Sequence, residues 1–163
     1  DIRRVFQYHG AEHKSIHTFE HGLPLDVANT RGFSRLHPRC GTTFLVFVIL
    51  ISLVVFAAVF PFLPVPTEAS KVVQVLVTLA MKIPLLFPIA GISYEILRFT
   101  GKLAKNPKIA PVLAPGLVMQ RLTTKEPADD QIEVGLTALR AALDQEGLPY
   151  ERGDTTPVPV PAV

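Results

Sequence analysis

Apolar residues run almost without interruption from Thr43 to Leu63, TFLVFVILISLVVFAAVFPFL, and no charged residue occurs between Cys40 and Thr67. A helix of about 20 residues crosses a hydrocarbon core, so this stretch predicts a transmembrane helix. A second apolar stretch, Val72 to Ile92, is interrupted only by Lys82, Pro84 and Pro88. Prolines are tolerated inside a bilayer when neighbouring groups satisfy the freed carbonyls, and a second, kinked span is predicted. The first stretch lies well inside the chain and has no small-residue cleavage site, which argues against a removable signal peptide.

The flanks read differently. Asp1 to His21 holds no proline and one glycine, then meets Gly22 and Pro24, the expected stop of a helix. Along it Ile2, Phe6, His9, His13, Ile16 and Glu20 recur at alternating steps of four and three, the spacing of one buried face, half of it polar. Residues 23–42 form a loop rich in Pro, Gly, Asn and Ser that leads Arg35, His37, Arg39 and Cys40 to the first span. After the second span, Pro107 to Leu122 is broken by Pro111, Pro115 and Gly116 and predicts a short interfacial helix and turn. Pro127, Asp129 and Asp130 then open an amphipathic helix with Ile132, Leu136, Leu139 and Leu143 on one stripe. The tail from Gly153 is proline-rich without periodicity and reads as disordered.

The expected fold class is therefore an all-α membrane protein: a two-helix transmembrane hairpin with a cytoplasmic N-terminal helix, an interfacial helix and a C-terminal amphipathic helix. Its segments are 1–42 (helix and loop), 43–97 (hairpin), 98–150 (interfacial and amphipathic helices) and 151–163 (tail).

Composition agrees, since 48% of the 163 residues are apolar and the mean hydropathy is positive, unusual for a soluble domain of this size. Arg31, Arg35 and Arg39 precede the first span, Arg98, Lys102, Lys105 and Lys108 follow the second, and the intervening loop offers only Lys71. This asymmetry predicts both termini of the chain on the cytoplasmic side of the membrane. The single cysteine forbids an internal disulfide, and a net charge of +2 is too small to argue for nucleic acid. Anionic membrane lipid is partner enough for the basic flanks.

Candidate chemistry lies in the first helix. His9, Gly10, Ala11, Glu12 and His13 spell H-x-x-E-H, in which two histidines one turn apart can share a metal ion. Such an ion, zinc or another divalent metal, acidifies a bound water, and Glu12 is placed to take the proton. The pattern recurs at His17, Glu20 and His21, but steps of four drift by about 40° around a helix, so four imidazoles cannot face one ion. Glu20, about 10 Å along the axis from His13, supports the site or ligates only if the helix bends. A third ligand comes from His37, Cys40 or Glu95. The competing reading is a histidine buried against a carboxylate with no metal. Lys82, costly in mid-span, must face the bundle, pair, snorkel or lie on a tilted or re-entrant helix. Glu95 and Arg98 read as an interfacial ion pair.

The strings YHGAEHK (8–14), SRLHPRCGTTFL (34–45), AGISYEILRF (90–99) and PGLVMQRLTTKEP (115–127), taken in order, resemble the bacterial YqhQ-like family. Its members are membrane proteins of unknown function described as predicted metal-dependent enzymes. The resemblance singles out His9, Glu12, His13, Lys14, Glu20, Arg35, His37, Arg39, Cys40, Glu95, Gln120, Arg121 and Glu126 as site residues. His17 and His21 look like departures from it, which makes the second H-x-x-E-H incidental. The family usually carries a further N-terminal portion, so the chain resembles the C-terminal part of a longer protein, and that portion is an expected partner along with other membrane proteins or a second copy.

Three functions are compatible with these residues. The first is a membrane-anchored metal-dependent hydrolase with zinc on His9 and His13, Glu12 as general base, and His37 and Cys40 completing the site. The second is a non-enzymatic scaffold or assembly factor, in which Glu12, Glu20 and Glu95 pair with Arg35, Arg39 and Arg98. The third is a transporter component using Lys82 and Glu95, which two spans support only by oligomerising or with further sequence.

Overall fold

The computed structural model describes residues 1–64, 68–104 and 106–153, so the predicted disordered tail lies almost wholly outside the described residues. Among these residues the secondary structure is helical, with no strand. The elements are α1 (Ile2–Glu20), α2 (Val27–Arg31), α3 (Gly41–Val59) followed by a 3-10 turn (Phe60–Phe62), α4 (Lys71–Lys102), a second 3-10 turn (Pro107–Ile109), α5 (Ala110–Thr123) and α6 (Asp129–Glu146).

The chain divides into two compact units: Asp1–His37 joined by the chain from Leu117 onward, and Pro38–Gly116. Segments at opposite ends of the sequence thus build one body, a grouping that a division at 42 and 97 does not contain.

In the first unit α1 starts at Asp1, whose carboxylate accepts from the Arg3 N–H at 3.0 Å. It ends in a Schellman closure, with Leu23 N–H on the Thr18 carbonyl (3.2 Å) and Gly22 N–H on that of Phe19 (2.9 Å). Gly22 closes that turn at φ +64°, and Gly147 ends α6 at φ +65°, conformations that cost a side-chain-bearing residue more. Ile132, Leu136 and Leu143 of α6 are buried with Ala11 and Leu25, and Leu139 packs at the edge of that core, as the predicted stripe requires.

The buried face of α1 differs from the predicted one. Gly10, Ala11, His13, Lys14, Ser15 and Thr18 are buried, whereas Ile2 is 68% exposed and Glu20 is not buried. The reason is close backbone approach. A Cβ on Gly10 would fall 2.2 Å from the Lys125 carbonyl oxygen, and one on Gly135 of α6 would fall 3.1 Å from Ser15 Oγ. Small residues let α1 meet α6 and the α5–α6 linker, a criterion that the spacing of large apolar residues does not contain.

In the second unit α3 and α4 pack together. Both are long and apolar enough to cross a membrane, Gly41–Phe62 and Lys71–Lys102. The second is longer than the predicted 72–92 stretch and runs through Pro84 and Pro88 to include Glu95 and Arg98. Lys82 is half-buried, its ammonium 5.4 and 5.1 Å from the ring centres of Phe56 and Phe60, so that of the placements open to it the side chain turns toward α3 and the turn that follows it. A cation over aromatic faces recovers part of its lost hydration.

Candidate functional site

Five histidines lie in the first unit: His9, His13 and His17 on α1, His21 at its C-cap, and His37 in the loop after α2. His37 is 4% exposed and its backbone is held from both sides by the buried Gln120 of α5. Gln120 Oε1 accepts from the His37 N–H at 2.9 Å and Gln120 Nε2 donates to the His37 carbonyl at 2.8 Å. Thr124 Oγ1 in turn donates to the Gln120 carbonyl at 2.7 Å, a helical back-bond that leaves the amide head to the loop.

Three α1 imidazoles have one ring nitrogen on a backbone carbonyl. His9 Nδ1 lies 3.0 Å from the Thr123 oxygen, His13 Nδ1 2.7 Å from Arg35 and His17 Nε2 2.9 Å from Leu36. In the neutral ring that nitrogen carries the proton and the other is basic, so the fold selects the tautomer of each. Ring centres are 4.4 Å apart for His9 and His13, 5.9 Å for His13 and His37, and 4.7 Å for His17 and His37. Phe33 stacks on His17 at 5.9 Å with 15° between the planes.

Burial holds the His13 imidazole below its ordinary value, against the opposing Arg35 hydrogen bond and Glu12 charge. Burial likewise pushes His37 down to about 4, with Glu20 opposing and the neighbouring His17 and His13 adding to the fall. Both rings are neutral at neutral pH, the state in which imidazole accepts a metal. His37 Nε2 sits 3.4 Å from each carboxylate oxygen of Glu20.

The remaining predicted residues spread over both units. Lys14 is buried, donates to the Arg31 carbonyl at 2.8 Å and pairs with Glu126, which is largely exposed. Arg35 donates to the Thr124 carbonyl. Glu12 is exposed and lines a shallow apolar groove with Tyr8, Ser15 and the α6 residues Leu139 and Ala142. Arg121 is exposed.

Arg39, Cys40 and Glu95 belong to the second unit. Cys40 is buried and caps α3, its sulfur 3.4 Å from the Thr42 N–H. Arg39 packs over Gly101, where an added Cβ would meet its Cγ at 2.5 Å. Glu95 lies 3.6 Å from Arg98 on the exposed surface of α4, the simple ion pair expected from their spacing.

The family model described as "Protein of unknown function (DUF1385)" matches residues 1–145. The chain belongs to this family. It is 40% identical over 149 residues to the uncharacterized protein YqhQ of Bacillus subtilis (strain 168), an alignment covering 90% of the chain. The chain spans 43% of the length of that relative. No solved structure matches.

Within the family reading, the structure adds residues that motif spacing did not weigh. His17, set aside as incidental, lies beside His37. Phe33 and the carbonyls of Thr123, Arg35 and Leu36 orient the rings without belonging to any recognisable motif. The four-residue step from His13 to His17 was the available signal, and only the position of the loop makes it informative.

Proposed function

We propose that this is an integral membrane protein in which α3 and α4 form a transmembrane hairpin and the first unit, on the cytoplasmic side, carries a divalent-metal centre for hydrolysis. Two observations support the membrane reading. Only 11% and 6% of the most apolar stretches of α3 and α4 are buried, so these helices need an apolar solvent that a water-soluble core helix would not. The first unit is also assembled from residues on both sides of the two spans, and an even number of crossings returns the chain to the side it left. The basic flanks favour the cytoplasm as that side.

The observation that carries the metal reading is the tautomer selection at His9 and His13. Each donates Nδ1–H to a backbone carbonyl, the support that metal-binding histidines ordinarily have, and leaves Nε2 as the basic nitrogen. Soft and borderline divalent ions, zinc foremost, suit such a pair. When bound, such an ion supplies Lewis acidity for hydrolysis. Glu12 is the proton acceptor in this reading. Its charge acts on the His13 ring and its carboxylate is open to solvent, as a group exchanging protons must be. The substrate class is a peptide or lipid-linked molecule reaching the centre along the membrane.

The scaffold alternative draws on the hydrogen bonds that staple the unit together: Gln120 to His37, Lys14 to Arg31 and Arg35 to Thr124. Elemental analysis of the untagged, detergent-purified full chain separates the two. The hydrolase reading expects His9→Ala with His13→Ala to lose about one ion per chain relative to the unaltered protein while its helicity persists. Equal metal content in the two proteins, or none in either, sinks the hydrolase and leaves the staple.

A further inference from the structure

The second H-x-x-E-H repeat of α1 has chemistry of its own. His17 and Glu20, three residues apart, share a helix face. His37 faces them from the loop that Gln120 anchors. We propose that His17, Glu20 and His37 form a second divalent-cation site, separate from the His9 and His13 pair, with two imidazole nitrogens and one carboxylate as ligands.

The distances favour coordination over a direct bond. One ligand atom from each of the three residues lies within 4.8 Å of the others. His37 Nε2 is 3.4 Å from both Glu20 oxygens, beyond the roughly 2.7–2.9 Å of a charge-assisted hydrogen bond. Ligands about 2.1 Å from a tetrahedral ion are about 3.4 Å from one another, so the observed gap is the one an intervening ion spans.

The support around the ligands agrees. The Leu36 carbonyl accepts a hydrogen bond from His17 Nε2–H and leaves Nδ1 as the basic nitrogen, Phe33 fixes the plane of that ring, and the buried Gln120 fixes the His37 backbone. The Glu20 side chain is 30% exposed, which gives an ion a route from solvent and leaves room for a further ligand. Two histidines and one carboxylate suit zinc, iron(II) or manganese. Because the imidazole directions drift along α1, an ion here does not use His9, and the site stands or falls independently of the hydrolase centre.

Cobalt(II) titration of the untagged, purified full chain tests this, read by its visible absorption and by bound cobalt per chain. Glu20→Gln and His17→Ala are made singly and on the His9→Ala, His13→Ala background, with helicity checked by circular dichroism. The proposal expects the background protein to keep about one ion per chain, and either added substitution to weaken that binding at least about tenfold. The isosteric Glu20→Gln on the otherwise unaltered chain gives the same reading if the multiple variants fail to fold. Unchanged cobalt binding in Glu20→Gln and His17→Ala overturns the site and leaves a plain histidine–carboxylate contact. Loss in these variants with none in the double-histidine background keeps this site and removes the first.

Discussion

Gln120 accepts from and donates to the backbone of His37, and both partners are buried. Replacing it with Leu keeps the volume but strands a peptide N–H and a carbonyl away from water. Each stranded group costs about 1–3 kcal/mol, so Gln120→Leu should lose about 2–6 kcal/mol in thermal or denaturant unfolding of the purified protein. A loss near zero would mean that water reaches the His37 backbone. The same residues set a pH dependence. His37 falls from 6.5 to about 4 in the folded protein, and His13 falls in the same direction. The unfolded chain then binds more protons between those two values. In chelator-treated protein, stability should be full above about pH 6.5 and decline as the pH falls toward 4, and His37→Gln should flatten that slope. Unfolding measured at several pH values checks both. None of this follows from the H-x-x-E-H motif, because motif spacing names a residue type and not the carbonyl that its ring will meet.

At the scale of the elements, α1 shows how size rather than hydrophobicity can choose a buried face. Gly10 abuts the Lys125 carbonyl and Ala11 and Ser15 abut Gly135, so the helix buries its small side and turns Ile2 and Val5 outward. Gly10→Ala should therefore force α1 away from the linker and cost about 1–3 kcal/mol, the usual range for overpacking. Gly32→Ala, with nothing within 4 Å of the added carbon, serves as the nearly neutral control. Equal melting temperatures for the two variants would contradict this packing. The α6 stripe was readable in advance because its large apolar residues do the packing themselves. Its partner face on α1 was not, because glycine, alanine and serine carry no hydrophobic period.

For the molecule as a whole, the threading of one unit through residues before and after the apolar helices bears on membrane topology. In the proposed two-span arrangement both flanks would share a compartment, which the arginines and lysines of the sequence predict to be the cytoplasm. An alkaline phosphatase fusion at Ser70, between α3 and α4, should be active, and one at Gly153 inactive. Activity at Gly153 would reverse the orientation, and inactivity at both would argue against a crossing.

What the sequence alone determined was local. Two apolar runs of sufficient length, the acidic opening and leucine stripe of α6, and the glycine ending of α1 depend on residues close in the chain, and all are found. Family membership was readable too, from four motifs in fixed order. Tertiary structure alone decided which face of α1 is buried, which histidines meet, and that Glu12 opens to a groove while Glu20 faces His37. These outcomes depend on partners far along the chain, Lys125 against Gly10 and Gln120 against His37. Such contacts are selected by the fit of whole surfaces, and no periodicity within a single helix encodes them.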